Sequence, residues 1–99
     1  MRIIIVLIVL SVCIWACAAP ENKTETISGI EIYKTRCVSC HGTDGKMGMN
    51  GAKELPSSPL DASQRIEVVT YGRKIMPAFK EMLSKEEIKA VVDFTFTLK

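Results

Sequence analysis

Five consecutive residues, Cys37-Val38-Ser39-Cys40-His41, restrict what this 99-residue chain can fold into more than any other feature. His41 is the sole histidine, and the other two of the four cysteines, Cys13 and Cys17, lie in an apolar run from Ile3 to Ala19. That run follows Arg2 and gives way to Pro20-Glu21-Asn22-Lys23-Thr24-Glu25, the layout of an export signal rather than of a folded core. What remains is one small domain. A core of that size is marginal on apolar burial alone and usually needs a disulfide, a metal or a cofactor as a staple. A disulfide between Cys37 and Cys40 would close a very short loop and stabilise little, because the gain grows with loop length. The staple is therefore something that the two thiols and the adjacent imidazole hold between them.

Two fates are open for the leader. Ile14-Trp15-Ala16-Cys17 places an aliphatic residue three before a cysteine and a small residue just before it, as in the lipobox of bacterial lipoproteins. Trp15 is bulky for that motif, and Cys13, preceded by β-branched Val12, is the poorer candidate. Cys17 is thus the expected lipidation site, in competition with an uncleaved membrane anchor, since the run is at the lower edge of bilayer-spanning length. Residues 1–19 read as signal peptide, lipoprotein signal or anchor, 20–27 as a flexible polar tether, and 28–99 as the folded domain. Either fate puts that domain in the cell envelope, on the extracytoplasmic or periplasmic side and held to the membrane. Cleavage before Cys17 removes Arg2 and no other charge, lowering the net charge from +2 to +1. So balanced a domain lacks the basic footprint of a nucleic-acid binder.

The folded part reads as helices and loops. Ser28 and Glu31 form a capping-box pair ahead of Ile30, Tyr33 and Cys37 at helical spacing, which predicts a first helix over 28–40. Glycines at 42, 45, 48 and 51, followed by Pro56-Ser57-Ser58-Pro59, predict a long loop to residue 59. Such a loop in a compact domain is usually functional or wrapped round something. Asp61 and Gln64 cap a short helix to Tyr71, with Ile66, Val69 and Tyr71 expected inward and Gly72 as its stop. A second loop, 73–83, carries Met76-Pro77. Ser84 and Glu87 cap a last helix containing Ile88, Val91, Val92, Phe94 and Leu98, with a strand as the minority alternative because of its β-branched residues.

At the end of a capped helix, spacings of three and four put the Cys37 and Cys40 thiols and the His41 imidazole on one side of the last turn. Two thiols so placed can add to the two vinyl groups of a haem as thioethers, while the imidazole reaches the iron. A thioredoxin-like redox pair would need a βαβ context that this chain lacks. A zinc site would need a fourth ligand, and with no other histidine or non-leader cysteine a carboxylate or water would have to complete it. The sixth iron ligand is sought among Met47, Met49, Met76 and Met82. Met47 and Met49 follow His41 too closely to reach the opposite haem face without a nearly extended chain. Met76, in a loop after a glycine-stopped helix and stiffened by Pro77, can lie across that face. Met47, Met49 and Met82 are expected as filling around the porphyrin. Imidazole with thioether favours the ferrous state relative to bis-histidine ligation.

From about Ser28 to Leu98 the chain resembles class I (mitochondrial-type) cytochrome c domains of the short bacterial kind. The resemblance rests on Gly29 and Tyr33 ahead of Cys37-Val-Ser-Cys40-His41-Gly42, on Met76-Pro77-Ala78-Phe79, and on Leu83-Ser84-x-Glu86-Glu87-Ile88 with Phe94. It implies an all-α fold, about four helices wrapped around one covalent haem c, with Gly29 and Tyr33 crossing the last helix near Phe94. It also implies a backbone carbonyl accepting from the proximal histidine Nδ1. Where family members often have Gly-Pro, this chain has Gly51-Ala52-Lys53-Glu54-Leu55, so that carbonyl falls to Asn50, Gly51 or Ala52, with Leu55 packing on the ring.

The implied function is that of a single-electron carrier with low-spin His/Met-ligated haem iron, working between a respiratory donor and an oxidase or reductase. Substrate chemistry, and so an enzyme, is not expected of it, since a six-coordinate iron would leave no open position. A haem peroxidase or nitric-oxide-reactive protein would require loss of the Met76 bond, and a sensor would require an output domain. Lys46, Lys53, Arg73, Lys74 and Lys80 flank the two ligand loops, but Asp44, Glu54 and Glu81 are interleaved, so this edge reads as a solvated surface.

Overall fold

The computed structural model describes residues 27–99. The leader, the Cys17 site and most of the 20–27 tether lie outside the described residues. The expected first helix is a single rod over residues 29–41 made of three stretches: α1 (Gly29–Ile32), a π-helical turn (Tyr33–Cys37) and α2 (Val38–His41). The Ser28 hydroxyl accepts the Glu31 N–H at 3.4 Å, capping the rod as its sequence suggested. The π turn was not foreseeable from spacing. In it the Val38 N–H bonds back to the Tyr33 carbonyl, one residue further than in an α-helix, which inserts an extra residue just ahead of Cys-x-x-Cys-His.

Two further helices follow, α3 (Ala62–Tyr71) and α4 (Lys85–Thr95), and among the described residues no strand forms. Both begin on complete capping boxes. Asp61 accepts from the Gln64 N–H at 2.8 Å while Gln64 returns a bond at 3.0 Å, and Ser84 and Glu87 exchange bonds of 3.1 and 3.2 Å. α4 stays helical despite Val91, Val92 and Thr95, because all three are buried and packing overrides propensity. The loop between α2 and α3 contains a single short 3-10 turn, Met49–Gly51.

The core is the crossing of α1 over α4. Ile32, Tyr33, Phe79, Leu83, Ile88 and Val91 form one buried cluster, and Val92 is fully buried. Gly29 sits at the crossing: a Cβ there would meet the Ala90 carbonyl, 2.6 Å from its carbon and closer still to its oxygen. Tyr33 packs on Phe94 with ring centroids 5.2 Å apart, as the family resemblance implied. Two inward assignments are corrected. Ile30 is exposed and Ile32 buried, because with Gly29 on α4 the residues three and four further on share its face. On α3, Tyr71 is exposed and the buried residue is Arg65, whose three guanidinium nitrogens all donate to carbonyls or a hydroxyl.

Candidate haem-binding site

α2 ends at Gly42, whose carbonyl accepts the Tyr33 hydroxyl at 2.6 Å. That bond ties the end of the Cys-x-x-Cys-His element directly to the core. Cys37 and Cys40 are both free thiols and half-buried. Burial, followed by the neighbouring Cys40, pushes the Cys37 thiol up to about 11. A reactive redox cysteine has the opposite property, a depressed thiolate pKa, which Cys37 lacks. Thioether linkage fits it better, since an alkylated sulfur has no proton to lose and no charge to bury. Among the described residues no three His, Cys, Asp or Glu side chains gather round a common ion position, which disfavours the zinc alternative.

His41 is half-buried, and its Nδ1 lies 3.2 Å from the Lys53 carbonyl. A carbonyl only accepts, so Nδ1 carries the proton and Nε2 is left as a lone-pair donor. Burial lowers the imidazole pKa and the Lys53 bond partly opposes that shift, which favours the neutral ring that a metal requires. The acceptor is Lys53, rather than Asn50, Gly51 or Ala52. The compact Met49–Gly51 turn, closed by Ala52 N–H to Met49 O at 3.0 Å, uses up those residues before the chain comes back to His41. Leu55, expected against the ring, is half-buried and packs against the protein's core cluster.

Met76 is held by a separate loop. Its N–H and carbonyl exchange two 3.1 Å bonds with Arg73, across a tight turn in which Lys74 takes φ 56°. Gly72, at φ 75°, lies under this turn: a Cβ there would stand 2.6 Å from the Met76 carbonyl oxygen and 2.8 Å from the Ala78 nitrogen. Downstream, Phe79 N–H bonds Val69 O at 2.9 Å and Lys80 N–H bonds Thr70 O at 3.2 Å, fastening the loop to the end of α3. Met76 is half-buried and touches the same core cluster that contains Tyr33 and Phe79. The helix end that carries His41 and the loop that carries Met76 are thus anchored to one core.

Met47, Met49 and Met82 are about half exposed, so none belongs to the protein's own core. Met47 is bound to the His41 side, its N–H donating to the His41 carbonyl at 2.9 Å. A cleft of about 290 Å³ runs along α3 from Leu60 past Val68 to Gly72 and Arg73, beside the Met76 loop, and neither the two cysteines nor His41 lines it. Lys46, Lys53, Arg73, Lys74 and Lys80 are all exposed, as are Asp44, Glu54 and Glu81. Sequence reasoning missed Arg65. The available signal was an arginine beside Ile66 on the inward side of a short amphipathic helix, where a long cation is rare unless its donors are satisfied.

The family described as Cytochrome C oxidase, cbb3-type, subunit III matches residues 24–94. The chain is 34% identical to the cbb3-type cytochrome c oxidase subunit FixP of Azorhizobium caulinodans over 82% of its length, but spans only 30% of that subunit. It is 30% identical to cytochrome c6 of a Nostoc species, covering 91% of this chain and 86% of the relative. With cytochrome c6 of Microcystis aeruginosa the identity is 39%, over 67% of this chain and 88% of the relative. The solved KustC0563 c-type cytochrome superposes with a TM-score of 0.65 at 31% identity, covering 74% of this chain and 99% of that one. The helices, the two free thiols beside an imidazole and these matches agree, and the chain belongs to the c-type cytochromes, in the family of cbb3-type subunit III, as an all-α electron-transfer domain for covalently attached haem c.

Proposed function

We propose that the protein is a membrane-tethered, single-electron carrier of an extracytoplasmic respiratory or redox chain. In this reading Cys37 and Cys40 hold the haem through thioethers, His41 Nε2 is the proximal iron ligand and Met76 Sδ the distal one. The bound haem supplies an iron that takes up and releases one electron. The remaining work is the protein's. The Lys53 carbonyl holds the imidazole in one tautomer, Tyr33 fixes the end of α2, and the hydrogen bonds of Arg73, Phe79 and Lys80 keep the Met76 loop from shifting. Fixed ligands on both sides are what fast electron transfer needs, because little has to reorganise when the charge changes.

The observation that carries this reading is the His41–Lys53 bond, immediately beside two free thiols: it frees Nε2 for a metal in the manner of histidine ligands generally. A transient donor and an oxidase or reductase are the proposed partners. Attachment to the cell envelope is assigned to lipidated Cys17 or an uncleaved leader; no helix of the described residues is long and apolar enough to cross a membrane. The test is the double variant Cys37→Ala/Cys40→Ala. Haem-dependent peroxidase staining of a denaturing gel is expected to disappear, together with most of the folded protein. Stain retained by the variant would refute the attachment.

A further inference from the structure

Arg65 is 7% exposed, and among the described residues no carboxylate pairs with it. Its Nη1 donates to Thr95 Oγ1 at 2.8 Å, Nη2 to the Leu55 carbonyl at 3.1 Å and the Ser58 carbonyl at 3.4 Å, and Nε to the Leu60 carbonyl at 3.2 Å. The guanidinium lies 4.0 Å over the Phe96 ring, and Thr95 in turn donates to Val92 O at 2.6 Å. One end of this cation is therefore fixed to the last turn of α4 and the other grips the loop before α3. Burying a guanidinium is costly even when each of its nitrogens is hydrogen-bonded, and an apolar side chain could fill the same space more cheaply.

The consequence lies where the bonds lead. Leu55 is held on both sides, its N–H by the Gly45 carbonyl at 3.0 Å and its carbonyl by Arg65 at 3.1 Å and the Ser58 N–H at 3.2 Å. Two residues earlier, the Lys53 carbonyl meets His41 Nδ1. Residues 53–55 thus form a strut with the imidazole at one end and Arg65 at the other. We propose that Arg65 is a positioning residue for His41: by clamping the Leu55 carbonyl to α4 it holds the Lys53 carbonyl against Nδ1 and so sets the donor strength of the imidazole. The inference rests on His41 being the proximal ligand. A firm Nδ1–H···O=C bond makes the ring a stronger donor and favours ferric iron, so loosening it shifts the balance to ferrous.

The test uses the holoprotein and Arg65→Lys, which keeps the charge and loses the planar fork. The His41 Nδ1–H, followed by NMR, is expected to exchange with deuterium about tenfold faster, in keeping with the size of outer-shell effects. At a fixed applied potential the ferrous-to-ferric ratio is expected to rise by up to about tenfold, which is ~59 mV for one electron. Thr95→Val, which cuts the anchor on α4 without touching the proximal loop, is expected to move both readouts in the same direction by less, and Thr95→Ser to restore them. Wild-type exchange and potential in both Arg65→Lys and Thr95→Val, with only the unfolding midpoint lowered, would overturn the clamp. A wild-type His41 ring showing no iron-induced shift would overturn the ligand reading and the clamp with it.

Discussion

Substituting Gly29 by alanine puts one methyl group where α1 meets the backbone of α4. The atoms it meets are the carbonyl carbon and oxygen of Ala90, with the Val91 nitrogen at 3.1 Å, all part of a hydrogen-bonded helix that cannot swing aside. Overpacking of this kind costs about 1–3 kcal/mol, and a backbone obstacle belongs in the upper half of that range. Replacing glycine in a helix returns at most about 1 kcal/mol of propensity. The net loss is therefore about 1–2 kcal/mol, roughly 4–16 °C in Tm for a domain of this size. In urea the midpoint should fall by ~1–2 M if the denaturant slope is ~1 kcal/mol/M. Far-ultraviolet circular dichroism of the holoprotein, with exposed Lys34→Ala as a control expected within about 0.5 kcal/mol of wild type, measures this directly. A Gly29→Ala protein as stable as wild type would refute the close crossing. So would rescue by Ala90→Gly, because trimming the Ala90 side chain leaves the obstructing backbone in place.

Tyr33→Phe is expected to cost ~1–3 kcal/mol in the same urea assay, since it leaves the Gly42 carbonyl without its 2.6 Å partner. Burial, and to a smaller degree Asp44, raises the Tyr33 phenol from 10.0 towards about 12, so the fold binds that proton more tightly than the unfolded chain. The associated stability is complete below pH 10 and is lost as pH rises towards 12, a decline that Tyr33→Phe should lack. Cys17→Ser is expected to release soluble protein or stall processing, read by membrane fractionation and intact mass; unchanged membrane residence with an unprocessed N-terminus would favour the uncleaved anchor.

The sequence exposed local features most clearly. The caps at Asp61 and Ser84 are short-range hydrogen-bond patterns between a residue and its third neighbour, so they can be read without knowing the fold. Cys37, Cys40 and His41 are legible for the same reason, their spacing being confined to one helical turn. The misplaced residues depend on how separate segments meet. Whether Ile30 or Ile32 faces inward is decided by where α4 crosses at Gly29, and the π turn at 33–37 leaves no mark on residue spacing. The His41 acceptor shifted to Lys53 because a short 3-10 turn consumed residues that an evenly extended loop would have left available. Arg65 is marked in the sequence only by its place beside Ile66, because its acceptors are carbonyls and a hydroxyl up to 30 residues away, which carry no charge pattern to match.

The central claim, a six-coordinate carrier with Met76 on the distal side, is tested most directly by optical spectra of wild type and Met76→Ala with carbon monoxide. Wild type should show a reduced c-type spectrum, the weak red band of methionine bound to ferric iron, and poor carbon monoxide binding. Met76→Ala should lose that band, fall in reduction potential and bind carbon monoxide quickly in the ferrous form, whereas alanine at Met47, Met49 or Met82 should leave the band in place. If wild type binds carbon monoxide readily and Met76→Ala changes nothing, the carrier account is contradicted and an open-site haem enzyme takes its place.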